Sequence, residues 1–432
     1  MPLPAVRTVD DEYDEIYAFL CGMERFGILL GLENISCLLN QLGDPQIQFP
    51  VVHVTGSNGK GSTSAMVSGI LQAAGYTSAL YTSPHLNDFR ERIRVNGSMI
   101  SKEALISSAR KIESLYDPQR TTFFEFTTAI AFDYFAQVRP DIALIEVGLG
   151  GRLDATNTVR PLVTVITDVS REHEDYLGVG IESVAREKAG IIKPGVPVIT
   201  GASRSKARNV IYEKAADRRA LVREFGRDFV GIRTGPDRFT YRSGSLELQD
   251  IVLAMPGAYQ VKNAALACAV VEELRTRGYR ITDEAVRSGI LNTRFPGRFE
   301  LIRRCPDVII DGAHTPESMR LLKSTLRSIY PSARPFVLTG MLREKDWRQM
   351  AGILASVARE VVCVPPQGNR ALDPEELAVY MRDFGIPVTA SPSISRGFES
   401  LMRKASEKNV ILAAGSLYMI GPVRRACGLS EE

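Results

Sequence analysis

The chain has 432 residues, 44% of them hydrophobic and 24% charged, with 53 Lys and Arg against 50 Asp and Glu for a formal net charge of +3. That composition belongs to a folded, water-soluble protein and excludes disordered and fibrous classes, while the balanced charge offers no polybasic footprint for nucleic acid or an anionic membrane. Apolar runs such as those at residues 163–167 and 410–414 are strand-length and far below the ~20 residues of a membrane span, and six cysteines without a CxxC pair point to reduced thiols rather than a disulfide frame or zinc site.

In chain order, the N-terminus is acidic, with Asp10, Asp11, Glu12, Asp14 and Glu15, and lacks the basic and apolar parts of a secretory signal, so a cytoplasmic protein is expected. Short β-branched runs at 51–55, 142–147, 163–167 and 196–200 alternate with helical patterns and predict an α/β fold with a largely parallel sheet. After the first run stands Gly56-Ser57-Asn58-Gly59-Lys60-Gly61-Ser62, followed by a helix-compatible stretch at 64–74. Glycines there let backbone N–H groups close around phosphate oxygens, the helix N-terminus adds its dipole, and Lys60 reaches the terminal phosphates. A nucleoside triphosphate is the implied ligand, although one Gly between the Lys and Ser62 departs from the usual spacing. A second strand at 80–82 would end beside Ser83. Glu146 closes a very apolar strand at the end where open α/β sheets place ligands, so it needs a cation: a Mg²⁺ ion, or an Arg such as Arg152. His173 lies in a polar loop at 168–175.

Residues 228–254 change to alternating polar and apolar text around Arg242-Ser243-Gly244, which predicts an antiparallel hairpin. A helix is expected from Lys262 to Arg277, ended by Gly278. Beyond Pro296-Gly297 the strand-helix alternation restarts, with strands at 308–310, 336–339, 361–364 and 410–413. The domain boundary is placed there, giving 1–296 and 297–432.

The phosphate loop with Gly after the Lys resembles the ATP loop of the Mur ligase superfamily, in its folylpolyglutamate synthase and dihydrofolate synthase branch. Further matches follow in order: Thr82-Ser83-Pro84-His85-Leu86, Arg90-Glu91-Arg92-Ile93, Phe123-Phe124-Glu125-Phe126-Thr127, Glu146 to Asn157, His173 before Leu177-Gly178, and Glu187-Lys188-Ala189-Gly190. Gln260 with Asn263, Pro296-Gly297-Arg298, Asp311-Gly312-Ala313-His314 and Gly415-Ser416-Leu417-Tyr418 complete a set covering nearly the whole chain. Two departures stand out, Glu172 where the family usually has Asp and Thr315 where it usually has Asn.

The resemblance implies a phosphate-loop ATPase-type domain, mainly parallel with a small antiparallel excursion, followed by a smaller Rossmann-like α/β domain. It also implies a monomeric ATP-dependent acid–amino-acid ligase that adds L-glutamate to 7,8-dihydropteroate or to folates through an acyl phosphate, with no nucleic acid or membrane partner. By the same resemblance, Gly56 to Ser62, Asn263, Arg298, Asp311 and His314 contact ATP. Ser83, Glu146, His173 and Lys188, the last as a CO₂-derived carbamate, would hold two Mg²⁺ ions, and Lys60, Glu146, His173 and Lys188 are the implied catalytic set. Thr122, Phe123, Phe124, Glu125, Leu153, Asp154 and Ala155 would face the pterin. From the residues alone, Lys188 reads as a helix-surface lysine paired with Glu187 or Asp175, and Phe123-Phe124 as core packing. The stretch 23–32 together with 122–126 resembles bacterial members that use both acceptors; the alternative is a folylpolyglutamate synthase only. A muramyl ligase would need a further N-terminal domain, for which about 50 residues before Gly56 are too few, and a phosphate-loop kinase or ATPase would leave Lys188 and the second domain unexplained.

Overall fold

The computed structural model describes residues 7–23 and 29–429. Part of the acceptor-related stretch, residues 24–28, lies outside the described residues.

An eight-stranded sheet is built from β1 (Val51–Thr55), β2 (Ser78–Tyr81), β3 (Ile93–Val95), β4 (Ser98–Met99), β5 (Ile142–Glu146), β6 (Val163–Ile166), β7 (Val198–Thr200) and β8 (Val222–Glu224), in the order β4-β3-β2-β5-β1-β6-β7-β8. From β2 to β8 all pairings are parallel, and β3 and β4 form an antiparallel edge. The central strands β1, β5 and β6 are buried at every residue, as expected of a sheet covered by helices on both faces. The expected strand at 196–200 begins only at Val198, because Pro197 has no N–H to donate to the ladder.

The chain next forms a three-stranded antiparallel sheet from β9 (Phe229–Arg233), β10 (Arg238–Ser243) and β11 (Glu247–Val252), so the expected hairpin gains a third strand. Phe239, Tyr241, Leu248 and Ile251 on its inner face join the core of the first sheet, where burying each large apolar side chain contributes about 1.5–3 kcal/mol. The helix Ala258–Thr276 packs between the two sheets and starts four residues earlier than Lys262. Gly278 follows it at φ +93°.

The remaining chain forms a six-stranded sheet from β12 (Glu300–Arg303), β13 (Asp307–Asp311), β14 (Phe336–Thr339), β15 (Glu360–Cys363), β16 (Val388–Ala390) and β17 (Val410–Ala414). Its order is β12-β13-β17-β14-β15-β16, parallel except for the edge strand β12. Separate apolar clusters cover its two faces. The two large sheets are thus joined through residues 293–299. The six cysteines form no disulfide, and among the described residues no helix is long and apolar enough to cross a membrane.

Candidate active site

The C-terminal ends of β1, β5 and β6 deliver the phosphate loop, Glu146 and the segment leading to His173 to one place, because β1 lies between β5 and β6 in the sheet. The helix after the loop begins at Lys60 itself, four residues before the expected start, with Gly59 as its N-cap at φ +88°. A Cβ at Gly59 would strike the amide of Asn263, so this glycine both supplies the left-handed turn and admits the side chain from the long helix. Asn263 is itself held by Gln260, whose Oε1 accepts from Asn263 Nδ2 at 2.8 Å. The departure from the usual loop spacing also has a steric reason. A Cβ at Gly61 would lie 2.6 Å from the Phe295 ring, so the interposed glycine lets the linker approach the helix.

The loop is tied to the segment after β6: Thr167 Oγ1 donates to Asn58 O at 2.7 Å, and Ser57 N donates to Asp168 O at 3.0 Å. Lys60 Nζ donates to Gly56 O at 2.8 Å, a contact that keeps the ammonium folded over the loop. Lys60, Ser83, Glu146, His173, Asn263, Arg298, Asp311 and His314 all line one cavity of about 330 Å³ between the two large sheets. The residues expected at the nucleotide and metal therefore converge on this cavity, apart from Gly56 and Lys188.

Glu146 is 4% exposed and its Oε2 has no hydrogen-bond partner among the described residues. Burial pushes its carboxyl up to about 7, against the opposing pull of Lys60 and Arg298. Arg152 is not its partner: that guanidinium pairs with Glu187 at 2.9 Å. A buried carboxylate with one orphaned oxygen fits a divalent cation. His173 sits at φ 48° as the N-cap of a short helix, Glu174–Leu177, rather than within an extended polar loop. Burial lowers its pKa, assisted by Lys345, which favours the neutral imidazole that metal binding requires. Among the described residues no three His, Cys, Asp or Glu converge into a metal cage, so a cation here would rely on Ser83, Glu146, His173 and oxygens of the nucleotide.

Lys188 is not a surface residue and pairs with neither Glu187 nor Asp175. It is 2% exposed, and its amine donates to Glu172 Oε1 at 2.8 Å. Burial pushes the amine below its ordinary value while Glu172 pulls it back up. Burial also opposes ionisation of Glu172, yet Lys188 and Lys60 hold that carboxyl at about 2. Glu172, which lines the cavity while Lys188 does not, stands between the buried amine and the open space.

In the second sheet, Asp311 accepts Phe299 N–H and Ala313 N–H, each at 2.8 Å, so its carboxylate braces the linker as well as lining the cavity. Burial raises its pKa, with Arg298 opposing. His314 Nδ1 donates to Gly312 O at 2.8 Å, leaving Nε2 as an acceptor, and burial lowers its pKa to about 4. Thr315 caps the helix Pro316–Ile329 through Ser318. Tyr259, Lys345 and Arg370 also line the cavity, and no sequence motif singled them out.

The seven expected pterin residues do not line that cavity. Thr122 and Glu125 form a reciprocal cap on the helix Phe123–Val138. Phe123 lies under the Arg92 guanidinium at 5.3 Å, and both phenylalanines pack on the core of that face. Asp154 is buried and accepts from Leu149 N at 2.8 Å and Thr156 N at 3.0 Å, beside Ala155 and the half-buried Leu153. Phe124 nevertheless fills the space that a side chain at Gly148, a cavity residue, would occupy, so the group borders the site.

Comparison with known proteins gives the family. Residues 54–271 match the Mur ligase middle domain and residues 297–417 the Mur ligase, glutamate ligase domain. A dihydrofolate synthase/folylpolyglutamate synthase of Bacillus subtilis is 34% identical, over 96% of this chain and 98% of that protein. The chain spans about half (50%) of a probable bifunctional folylpolyglutamate synthase/dihydropteroate synthase of Haloferax volcanii, also 34% identical, over 96% of this chain. Among solved structures, E. coli FolC in complex with DHPP and ADP superposes with a TM-score of 0.87 at 32% identity, covering 96% of this chain and 97% of that one. A bifunctional folylpolyglutamate synthase/dihydrofolate synthase with Mn, AMPPNP and L-glutamate bound gives 0.86 at 31% identity, covering 96% and 98%. The chain belongs to the dihydrofolate synthase/folylpolyglutamate synthase family of Mur ligases.

Proposed function

We propose that this protein joins the amine of L-glutamate to the carboxylate of 7,8-dihydropteroate, and to the carboxylate of folates that already carry glutamate, at the expense of ATP. The observation that carries this reading is the single cavity in which Lys60, the orphaned Glu146 and the second-sheet groups Arg298, Asp311 and His314 meet. A carboxylate is a poor acyl donor, so it first attacks the γ-phosphate to give an acyl phosphate, and the glutamate amine then displaces phosphate. Lys60 and Arg298 carry positive charge to the transferring phosphoryl group, the backbone N–H groups of 56–62 hold the other phosphates, and Asn263 fixes the loop.

Glu146, His173 and Ser83 would hold Mg²⁺, which supplies charge neutralisation on the phosphate oxygens when bound. Lys188 as a carbamate would add an anion to this set. Its amine must first leave Glu172, which then keeps Lys60, Ser57 and Lys345 around it. The acceptor's pterin is assigned to Thr122, Phe123, Phe124, Glu125 and Leu153 to Ala155, adjoining the cavity through Gly148. Lys345, whose pKa burial lowers, offers a cation to the carboxylates of incoming glutamate. We divide the chain into 1–296, bearing ATP and pterin, and 297–432, which closes over them as one monomer and excludes water from the acyl phosphate.

Release of phosphate by the purified protein tests this reading. It should require ATP, Mg²⁺, L-glutamate and a pterin acceptor together; turnover indifferent to glutamate and pterin would make the protein an ATPase.

A further inference from the structure

The linker that joins the two large sheets borders a second space. A cavity of about 720 Å³ lies between the halves and shares only Arg298 with the catalytic cavity. One wall comes from Pro236, Met255 and Pro256, the other from Leu301, Ile329 and Tyr330, and the linker residues Arg294 to Pro296 close it. Its volume is that of a small-molecule site.

The charges in it do not cancel. Arg294, Arg298, Arg304 and Arg424 line it against Asp237 and Glu300. Glu300 is spoken for: one oxygen pairs with Arg424 and the other accepts Gly297 N–H at 2.7 Å. Asp237 faces Arg238 at 4.0 Å. Arg294 donates only to the carbonyls of Leu291 and Thr293 and has no carboxylate within 4.0 Å among the described residues, and Arg304 reaches Asp307 only at 3.7 Å. The rest of the lining is apolar or aromatic, with Met255, Phe295, Phe299 and Tyr330 providing flat and polarisable surface.

We propose that this cavity is a binding site for a planar aromatic anion, its ring held between Met255 and Tyr330 and its acid group by Arg294 and Arg304. Such a ligand touches both halves of the molecule at once. It also touches Phe295, whose ring abuts Gly61 of the phosphate loop, and Arg298, whose guanidinium lies beside Gly312. It is therefore placed to brace the linker without entering the space that ATP takes.

The test is a fluorescence titration of the whole protein with 1-anilinonaphthalene-8-sulfonate, with and without ADP. The site predicts one saturable class whose apparent Kd reaches a plateau as ADP is raised, because the two ligands occupy different cavities. Leu301→Trp, which fills the space, and Arg304→Glu, which reverses one charge, should each weaken it at least about tenfold. Since Arg304 is exposed, its substitution decides the matter even where Leu301→Trp fails to fold. An apparent Kd that climbs without limit as ADP is added would put the dye in the catalytic cavity and overturn the proposal. An affinity unchanged by Arg304→Glu, or by a folded Leu301→Trp, would put it elsewhere and do the same.

Discussion

Glu146→Gln separates the cost of burying a carboxylate from the use made of it. The Glu146 side chain is 4% exposed, one oxygen is unpartnered among the described residues, and burial pushes its carboxyl up to about 7 from an ordinary 4.5. A raised carboxyl pKa means that the folded state resists ionisation. The resulting penalty is absent below the unfolded value near 4.5, grows as pH rises, and is complete above 7. At about 1.36 kcal/mol per pH unit, this amounts to about 3 kcal/mol at pH 8 and under about 1 kcal/mol at pH 5. Glu146→Gln removes the charge while keeping the shape, so in EDTA it should be more stable than the parent at pH 8 by up to that amount, with the gain nearly gone at pH 5. Adding Mg²⁺ should stabilise the parent and leave the variant unmoved, and the variant should have no ligase activity. Denaturant titration at the two pH values, with EDTA or Mg²⁺, measures all of this. A variant less stable than the parent at both pH values, or one that Mg²⁺ stabilises equally, would refute the view that this carboxylate is kept for a cation.

Lys60→Ala should remain folded, because the one side-chain hydrogen bond it makes among the described residues is to the loop carbonyl of Gly56, yet lose turnover by at least roughly a thousandfold; circular dichroism and a phosphate-release assay check both halves. Lys188→Ala should be inactive and partly rescued by a short carboxylic acid, and failure of every such acid in a folded variant would count against the carbamate. Gly61→Ala should force Phe295 and the linker away from the phosphate loop at a cost of about 1–3 kcal/mol, seen as a lower melting temperature and a lower kcat. Lys345→Ala should raise KM for glutamate more than tenfold with KM for ATP little changed, and equal rises in both would assign Lys345 to the nucleotide.

The phosphate loop and the strands that carry Glu146 and Asp311 were legible because each is a local pattern: glycines between an apolar run and a helix, or a carboxylate closing a fully buried strand. Helix starts were less legible, since Gly59 and Gly257 begin their helices through backbone conformations that side-chain periodicity does not report. The short edge strands β3 and β4 have too few residues to display alternation. The partner of Lys188 could not be read from spacing: Glu172 lies 16 positions away and meets it only because the segment after β6 and the helix Ile181–Ala189 fold over the same strand end. Tyr259, Lys345 and Arg370 escaped notice for the same reason, since they become site residues only when the second half of the chain is laid over the first. Conversely, Thr122 and Glu125 carry a motif whose immediate structural use is a helix cap, and Asp311 serves the linker as much as the cavity.

In the proposed reaction one cavity phosphorylates an acceptor carboxylate and then exchanges the phosphate for glutamate. Supplying 7,8-dihydropteroate or tetrahydrofolate whose reacting carboxylate bears heavy oxygen, with ATP, Mg²⁺ and L-glutamate, tests it most directly by mass analysis of the products. One glutamate should be added to either acceptor, and one heavy oxygen should pass into inorganic phosphate for each amide formed. Amide formation with unlabelled phosphate, or phosphate release without amide, would contradict it.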